Sequence, residues 1–175
     1  MNKILLFEYF LKKLVEWHCD YYKLNIVDFN DHEYNNLSKL KVIKLHFFAC
    51  STNENALDIF DDFHAMPYGH VESEIYNHLD ELQFCSVTNN KMIINNWVNF
   101  NNYLPENHEV IDISTSRLRN ENFSLISIDP FELVELSHKW FSWRYNFQKA
   151  RQSGSYSRPI NRDLIIKEEK FYSVI

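Results

Sequence analysis

Three side chains that could ligate a metal ion recur at four-residue spacing, namely His70, Glu74 and His78. The apolar residues around them predict a helix, on which all three would lie along one face. They would then span about 12 Å at the helical rise per residue, which is too far for one ion to contact all three. A His-Glu-x-x-His site needs its glutamate directly after the first histidine, and the sequence lacks that pattern here. We therefore predict no metal and no cofactor.

The same region is rich in carboxylates, which could serve acid–base chemistry or bind a hard cation. The cluster Asp58–Asp62 also holds the apolar Phe60, and because unpaired acids mostly lie on surfaces we expect solvated charges. The chain has neither a Gly-x-Ser-x-Gly elbow nor a cysteine in a protease context, so we predict that it is not an enzyme. The alternative is a metal- or acid/base-dependent enzyme whose site uses this cluster and His64, His70, Glu74 and His78.

A tight turn organises the stretch Asp58–Leu82. Pro67 presets its own φ, and Gly69 can adopt a positive φ where a side chain would clash. Apolar residues then recur at helical spacing, at Val71, Ile75, Leu79 and Leu82. We predict an extended segment, then the turn, then a helix that reaches about Phe84. We do not expect this helix start to bind phosphate, because the neighbouring carboxylates would repel it.

Composition places the chain among helical globular proteins. Of its 175 residues 45% are hydrophobic and 16% aromatic, while only two are glycine and four proline. This shortage of turn residues favours helices over many short strands. The formal charge of −6 argues against general nucleic-acid binding and makes a basic partner protein the easier electrostatic hypothesis. Three scattered cysteines and the lack of a long apolar run predict a cytoplasmic protein with no membrane partner.

Hydrophobic patterning predicts a mainly α fold, a single compact domain over 1–175 with one or two short strands or extended segments. Residues 1–36 would form an N-terminal helix, about Lys3–Tyr21, and its connection. A second helix, about 37–50, is apolar around most of its circumference, so we expect several neighbours to bury it at the centre of the domain.

The remaining elements follow from local signals. Asp129 can cap a helix that has Pro130 at its first position, and that helix should reach Trp143. Less clear patterns predict a helix over Thr88–Asn102, an ambiguous short helix over His108–Asn120, a loop over Arg144–Ser157, a strand over Ile160–Ile166 and a final helix over Lys167–Val174.

The richest aromatic cluster runs from Trp140 to Phe147. At helical spacing such residues are more often core than contact surface, but these fall on more than one face, so we expect one or two at an interface. Basic residues follow closely. A DNA-binding autoregulator is a third hypothesis, and it would use Arg144, Lys149, Arg151 and Arg158.

Three blocks in the chain resemble, in the right order, the Panacea domain (SocA-like, phage-associated GepA-like). They are LSKLKVIKLHFFA from Leu37, FDDFHAMPYGHVESEIY from Phe60, and LSHKWFSW from Leu136 followed by Pro159-Ile. Together they cover about 37–172. The chain departs from the family at His70, where proline is usual, and at Met66, where an aromatic residue is common.

The resemblance implies a helical antitoxin of a two-gene toxin–antitoxin system. Such a protein neutralises its cognate toxin, encoded by the adjacent gene, through direct protein–protein binding. We expect the partner-binding residues to be Pro67, Tyr68, Gly69, His70, Val71, Tyr76, Trp140, Trp143 and Arg144. A purely structural role for the turn residues is equally open at this stage, and so is a homo-oligomer.

Overall fold

The computed structural model describes residues 2–173. Its helices are α1 (Lys3–Tyr22), α2 (Lys39–Ser51), α3 (Glu54–Ile59), α4 (Ser73–Asn77), α5 (Trp97–Asn102), α6 (His108–Glu121), α7 (Pro130–His138), α8 (Phe141–Gln152) and α9 (Arg162–Lys167). Short 3-10 helices cover Ile26–Asp31, Leu79–Glu81 and Phe123–Ser127. The strands are β1 (Phe63–Met66), β2 (Gly69–Glu72), β3 (Cys85–Val87), β4 (Met92–Ile94) and β5 (Arg158–Pro159). The predicted mainly α class with a minor β component is confirmed.

Helix α2 is the central helix, as its all-round apolar sequence predicted. The Ser38 hydroxyl caps it by accepting the N–H of Lys41. All of its residues from Lys41 onward are buried, because α3, α6, α7 and β2 pack around it. Helix α1 lies beside this layer against α6 and the 3-10 helix Phe123–Ser127, and it too matches its prediction.

The prediction of a helix from Gly69 to Phe84 is wrong. The chain instead forms a hairpin in which β2 pairs antiparallel with β1, with Met66 opposite Gly69. Helix α4 begins only at Ser73 and ends after five residues. The alternation of buried and exposed residues that marks a strand is missing from β2, because all four of its residues are buried, including the polar His70 and Glu72. β1 also pairs with β5, so the sheet order is β2-β1-β5.

A second hairpin, β3-β4, replaces most of the helix predicted over Thr88–Asn102, and only α5 remains of it. Distant side chains fix this hairpin. Asn30 bonds both the N–H and the carbonyl of Ile94. The buried carboxylate of Glu8 accepts the N–H of Phe84 at 2.6 Å and those of both neighbouring residues. These partners are far away in sequence and left no local signal.

The helix start at Asp129 is confirmed, since its carboxylate accepts the N–H of Phe131. However, this helix ends at His138, and α8 occupies most of the predicted loop over Arg144–Ser157, because Asn146 and Ala150 give the polar sequence a buried face. The ambiguous segment His108–Asn120 is helical.

Both predictions at the C-terminus are wrong. The segment Ile160–Ile166 contains most of α9 rather than a strand, because Asn161 caps a helix by accepting the N–H of Asp163. Residues 168–173 form no helix, and Val174 lies outside the described residues. Over residues 2–173, no helix is both long and apolar enough to cross a membrane.

A candidate partner-binding groove

A groove of about 480 Å³ lies between the β1-β2 turn and one face of α2. Its walls come from α2, the hairpin, α4, the β3-β4 turn and the start of α7. The residues that line it are Lys39, Leu40, Ile43, Lys44, Met66, Pro67, Tyr68, Val71, Tyr76, Asn89 and Phe131. Most of these side chains are apolar or aromatic, and the volume falls in the usual range for ligand-binding clefts.

Gly69 shapes the corner above this groove. Its φ of 99° lies in the region that side chains rarely adopt, as the sequence predicted. Its Cα also packs against α7, because a Cβ added at Gly69 would lie only 2.8 Å from the Cβ of Ser137. The two-residue turn Pro67-Tyr68 is therefore held close to α7, and the ring of Tyr68 projects outward, 59% exposed.

His70 fixes the turn from below. Its ring is fully buried and stacks on Phe47, with centroids 3.6 Å apart. Its nitrogens Nδ1 and Nε2 each lie 2.8 Å from a serine hydroxyl, Ser137 and Ser142 respectively. Burial holds the pKa of His70 well below its usual value, so the ring is neutral. This residue, which we expected at the partner-binding region, anchors the hairpin to α7 and α8.

Lys44 lies fully buried in the floor of the groove. Its Nζ donates to the carbonyl oxygen of His70 at 2.5 Å. Burial lowers the pKa of Lys44 to about 7, because it removes the ammonium from water. In residues 2–173 no carboxylate forms an ion pair with Lys44.

The aromatic residues around the start of α8 have different roles, since one belongs to the core and another supports the turn. Trp140 is fully buried and donates from Nε1 to the carbonyl of Phe171. Trp143 is half-buried, and its Nε1 donates to the carbonyl of Met66 at 2.8 Å. Arg144 is exposed beside it. None of these three residues, which we expected at an interface, lines the groove. Trp143 nevertheless supports the strand that leads into the turn.

Four of the predicted partner-binding residues line the groove together, namely Pro67, Tyr68, Val71 and Tyr76. Sequence reasoning missed the other seven lining residues and His138, which supports the turn. Phe131 at the start of α7 is 63% exposed at the rim, and His138 bonds the carbonyl of Pro67 from the end of the same helix. Lys39 and Lys44 are among these lining residues. Their positions on α2 would have identified them as groove residues only if the place where the hairpin packs on α2 had been known.

Two residues of the alternative enzyme hypothesis meet, since His64 Nε2 lies 3.0 Å from Asp62 Oδ1 and its Nδ1 lies 2.9 Å from Ser157 Oγ. The other histidines of that hypothesis do not join them. His70 points to its two serines, whereas His78 pairs with Glu81 at the surface. The carboxylates engage different cations, as Asp58 pairs with Arg162 and Asp61 pairs with Lys3. Within the described part of the chain, no group of three histidines, cysteines or acids is placed to hold a metal ion.

Comparison of the chain with protein-family models, with curated proteins and with solved structures finds no match. The resemblance to the Panacea domain therefore stays a prediction from the three sequence blocks. What the fold adds is the placement of the middle block, since its turn forms one wall of the groove and the first block forms the opposite wall on α2. The third block supplies the side chains that brace the turn, including Ser137 and Trp143.

Proposed function

We propose that this protein is an antitoxin-like interaction protein that neutralises a partner toxin by direct binding, with the groove at the β1-β2 turn as its contact surface. The observation that carries this proposal is that exposed aromatic side chains surround a preformed cleft. Tyr68, Tyr76 and Phe131 are 59%, 41% and 63% exposed at its rim. Aromatic side chains are enriched in protein–protein interfaces, and a tyrosine that becomes buried on binding is a frequent hot spot.

The rigidity of the turn supports the same role. Gly69 packs on α7, the ring of His70 is hydrogen-bonded on both nitrogens, and Trp143 and His138 bond the carbonyls of Met66 and Pro67. A surface that is ordered before binding loses less conformational entropy when the partner arrives. The turn can therefore present Tyr68 in a fixed position without help from the partner.

Co-expression with the adjacent gene tests this proposal. We expect the neighbouring product to arrest growth when expressed alone and to form a complex with this chain that restores growth. Tyr68→Ala combined with Phe131→Ala should abolish rescue and weaken the complex at least tenfold. A matched control is Tyr34→Ala, since Tyr34 is 55% exposed and does not line the groove. A neighbouring product that is not toxic, or a toxin that this chain neither binds nor neutralises, overturns the antitoxin role.

The two other hypotheses have less support. The enzyme hypothesis has the hydrogen bonds of His64 with Asp62 and Ser157 in its favour, but in the described part of the chain no group of three histidines, cysteines or acids could hold a metal ion. For the DNA hypothesis, Arg151 stacks on the ring of Tyr156 rather than standing free. Operator binding that survives moderate salt would favour that hypothesis over ours, because nonspecific phosphate contacts weaken steeply with salt.

A further inference from the structure

The charge of the groove is opposite to the charge of the whole chain. The formal net charge is −6, yet the charged residues that line the groove in the described part of the chain are Lys39 and Lys44. Neither forms an ion pair with a carboxylate in residues 2–173. The lysines of α1 contrast with them, because Lys3 and Lys13 each contact two or more carboxylates within 4 Å.

The helix that carries these lysines adds to the positive potential. Lys39 is the first residue of α2, and the first turn of α2 contains no acidic side chain. A helix N-terminus already carries partial positive charge, so a lysine there is electrostatically unfavourable for the isolated helix. The ammonium of Lys39 lies 4.0 Å from the centroid of the Tyr76 ring, which holds it at the rim of the groove.

Resting on the proposed function, we infer that the groove binds an acidic segment of the partner, whose apolar side chain fills the cleft while its carboxylate pairs with Lys39. The apolar walls at Leu40, Ile43 and Val71 suit an aliphatic or aromatic anchor. The volume of about 480 Å³ has room for one or two such side chains. A ligand that is charged throughout would leave these walls unfilled.

This inference reverses the partner charge suggested by composition. Net charge sets long-range attraction between whole proteins, but the sign at the contact is set by the side chains that meet there. Lys44, buried directly below, adds to the positive field in the floor of the groove in the fraction of molecules in which it is protonated, about half near its pKa of about 7. A partner can therefore be basic overall and still insert an acidic segment at this point.

Charge reversal at the rim tests the inference in the complex of the full chain with its neighbouring product. We expect Lys39→Glu to raise the dissociation constant at least tenfold and Lys39→Gln to raise it about threefold. Lys167→Glu is the matched control, because Lys167 is exposed on α9 away from the groove, and it should change the constant less than twofold. Equal effects of the reversals at positions 39 and 167 overturn the inference.

A peptide experiment separates this inference from the proposed function, since it needs no toxin. Fluorescent peptides with one Leu-Phe core are flanked by glutamate, glutamine or lysine, and their anisotropy is titrated with the wild-type chain and with Lys39→Glu. We expect the glutamate peptide to bind the wild type most tightly and to lose at least fivefold in affinity with the variant. No binding of that peptide, equal binding of the lysine peptide, or displacement by millimolar inorganic phosphate contradicts an acidic segment with an apolar anchor. Absence of a complex with the neighbouring product would instead count against the antitoxin role alone.

Discussion

The two ends of the β1-β2 hairpin differ in how a buried charge is compensated. At the open end of the hairpin, where Phe63 faces Glu72, the buried carboxylate of Glu72 accepts hydrogen bonds from Lys3 Nζ at 3.0 Å and from the N–H of Ile75 at 2.8 Å. At the turn end, where Met66 faces Gly69, the buried ammonium of Lys44 has a carbonyl oxygen as its acceptor.

Because of this difference, we interpret the open end as a structural contact and the turn end as a surface that can bind a partner. A buried ion is costly unless an opposite charge compensates for it. Lys3 compensates Glu72 from within the chain, and it also contacts Asp61 and Glu74, so that end needs no partner. In the described part of the chain no opposite charge compensates the cost of burying the Lys44 ammonium beneath the groove. Any ligand that brings negative charge to the groove would reduce that cost.

The largest effect should come from filling the space at Gly69. Gly69→Ala introduces a Cβ against Ser137 at a φ of 99° and should lower the free energy of unfolding by about 3 kcal/mol. Gly154→Ala is the matched control, because Gly154 also has a positive φ, 76°, but no atom lies within 4 Å of its added Cβ. We expect it to cost about 1 kcal/mol. Urea denaturation measures both, and equal losses would show that contact with α7 is unimportant.

Breaking the ion pairs at the open end should have the next largest effect. Lys3→Met leaves the buried Glu72 without its cation, and we expect a loss of about 2 kcal/mol, below the range for fully buried pairs because Asp61 and Glu74 are exposed. Lys167→Met should change the free energy of unfolding by less than about 0.5 kcal/mol. A loss as small as the control's would mean that Glu72 is stabilised without Lys3.

At the turn end, Lys44→Met should instead raise the free energy of unfolding, because it replaces the uncompensated ammonium. The pKa of Lys44 is lowered to about 7 in the folded protein from 10.5, so the unfolded chain binds more protons above pH 7 and wild-type stability rises with pH there. We expect the variant to be more stable than the wild type by at least about 1 kcal/mol at pH 6.5. This advantage should shrink by about 2 kcal/mol by pH 8.5.

Lys41 must be separated from this effect, because burial also lowers its pKa to about 7. It is intact in both proteins, so its contribution cancels in the difference between wild type and Lys44→Met. The pKa values of His18 and His46 are lowered from 6.5 to about 3, so they affect stability mainly below about pH 7, and because both proteins contain them their contribution cancels as well. Urea midpoints at pH 6.5, 7.5 and 8.5 give the difference. An advantage that grows with pH would contradict an uncompensated Lys44 charge.

Sequence patterns succeeded where the signal was local. The start of α7 was visible because Asp129 and Pro130 are adjacent to the helix that they initiate. The central position of α2 followed from apolar residues on every face, and the turn at Gly69 followed from the conformations of proline and glycine. Each of these features depends on residues within a few positions of one another.

The patterns failed where distant residues decide the structure. A helix was predicted at β2 because Val71 begins a series of apolar residues at helical spacing. Distant residues decide otherwise, since Ser137 and Lys3 make the burial of His70 and Glu72 possible from 67 and 69 positions away. The groove was hidden for the same reason. Only its hairpin wall was predicted, since Lys44 looks like an ordinary exposed lysine until the carbonyl of His70 is placed beside it.

The smallest effect on stability should come from Tyr68, although it lies at the centre of the turn. The turn is fixed by Gly69 against α7 and by hydrogen bonds to the carbonyls of Pro67 and Met66, and none of these contacts uses the Tyr68 ring. We expect Tyr68→Ala to change the free energy of unfolding by less than about 0.5 kcal/mol, while affinity for the partner falls about tenfold. Denaturation and binding titration of one sample test both parts. A large loss of stability would make Tyr68 a structural residue, and the two ends of the hairpin would then no longer differ in role.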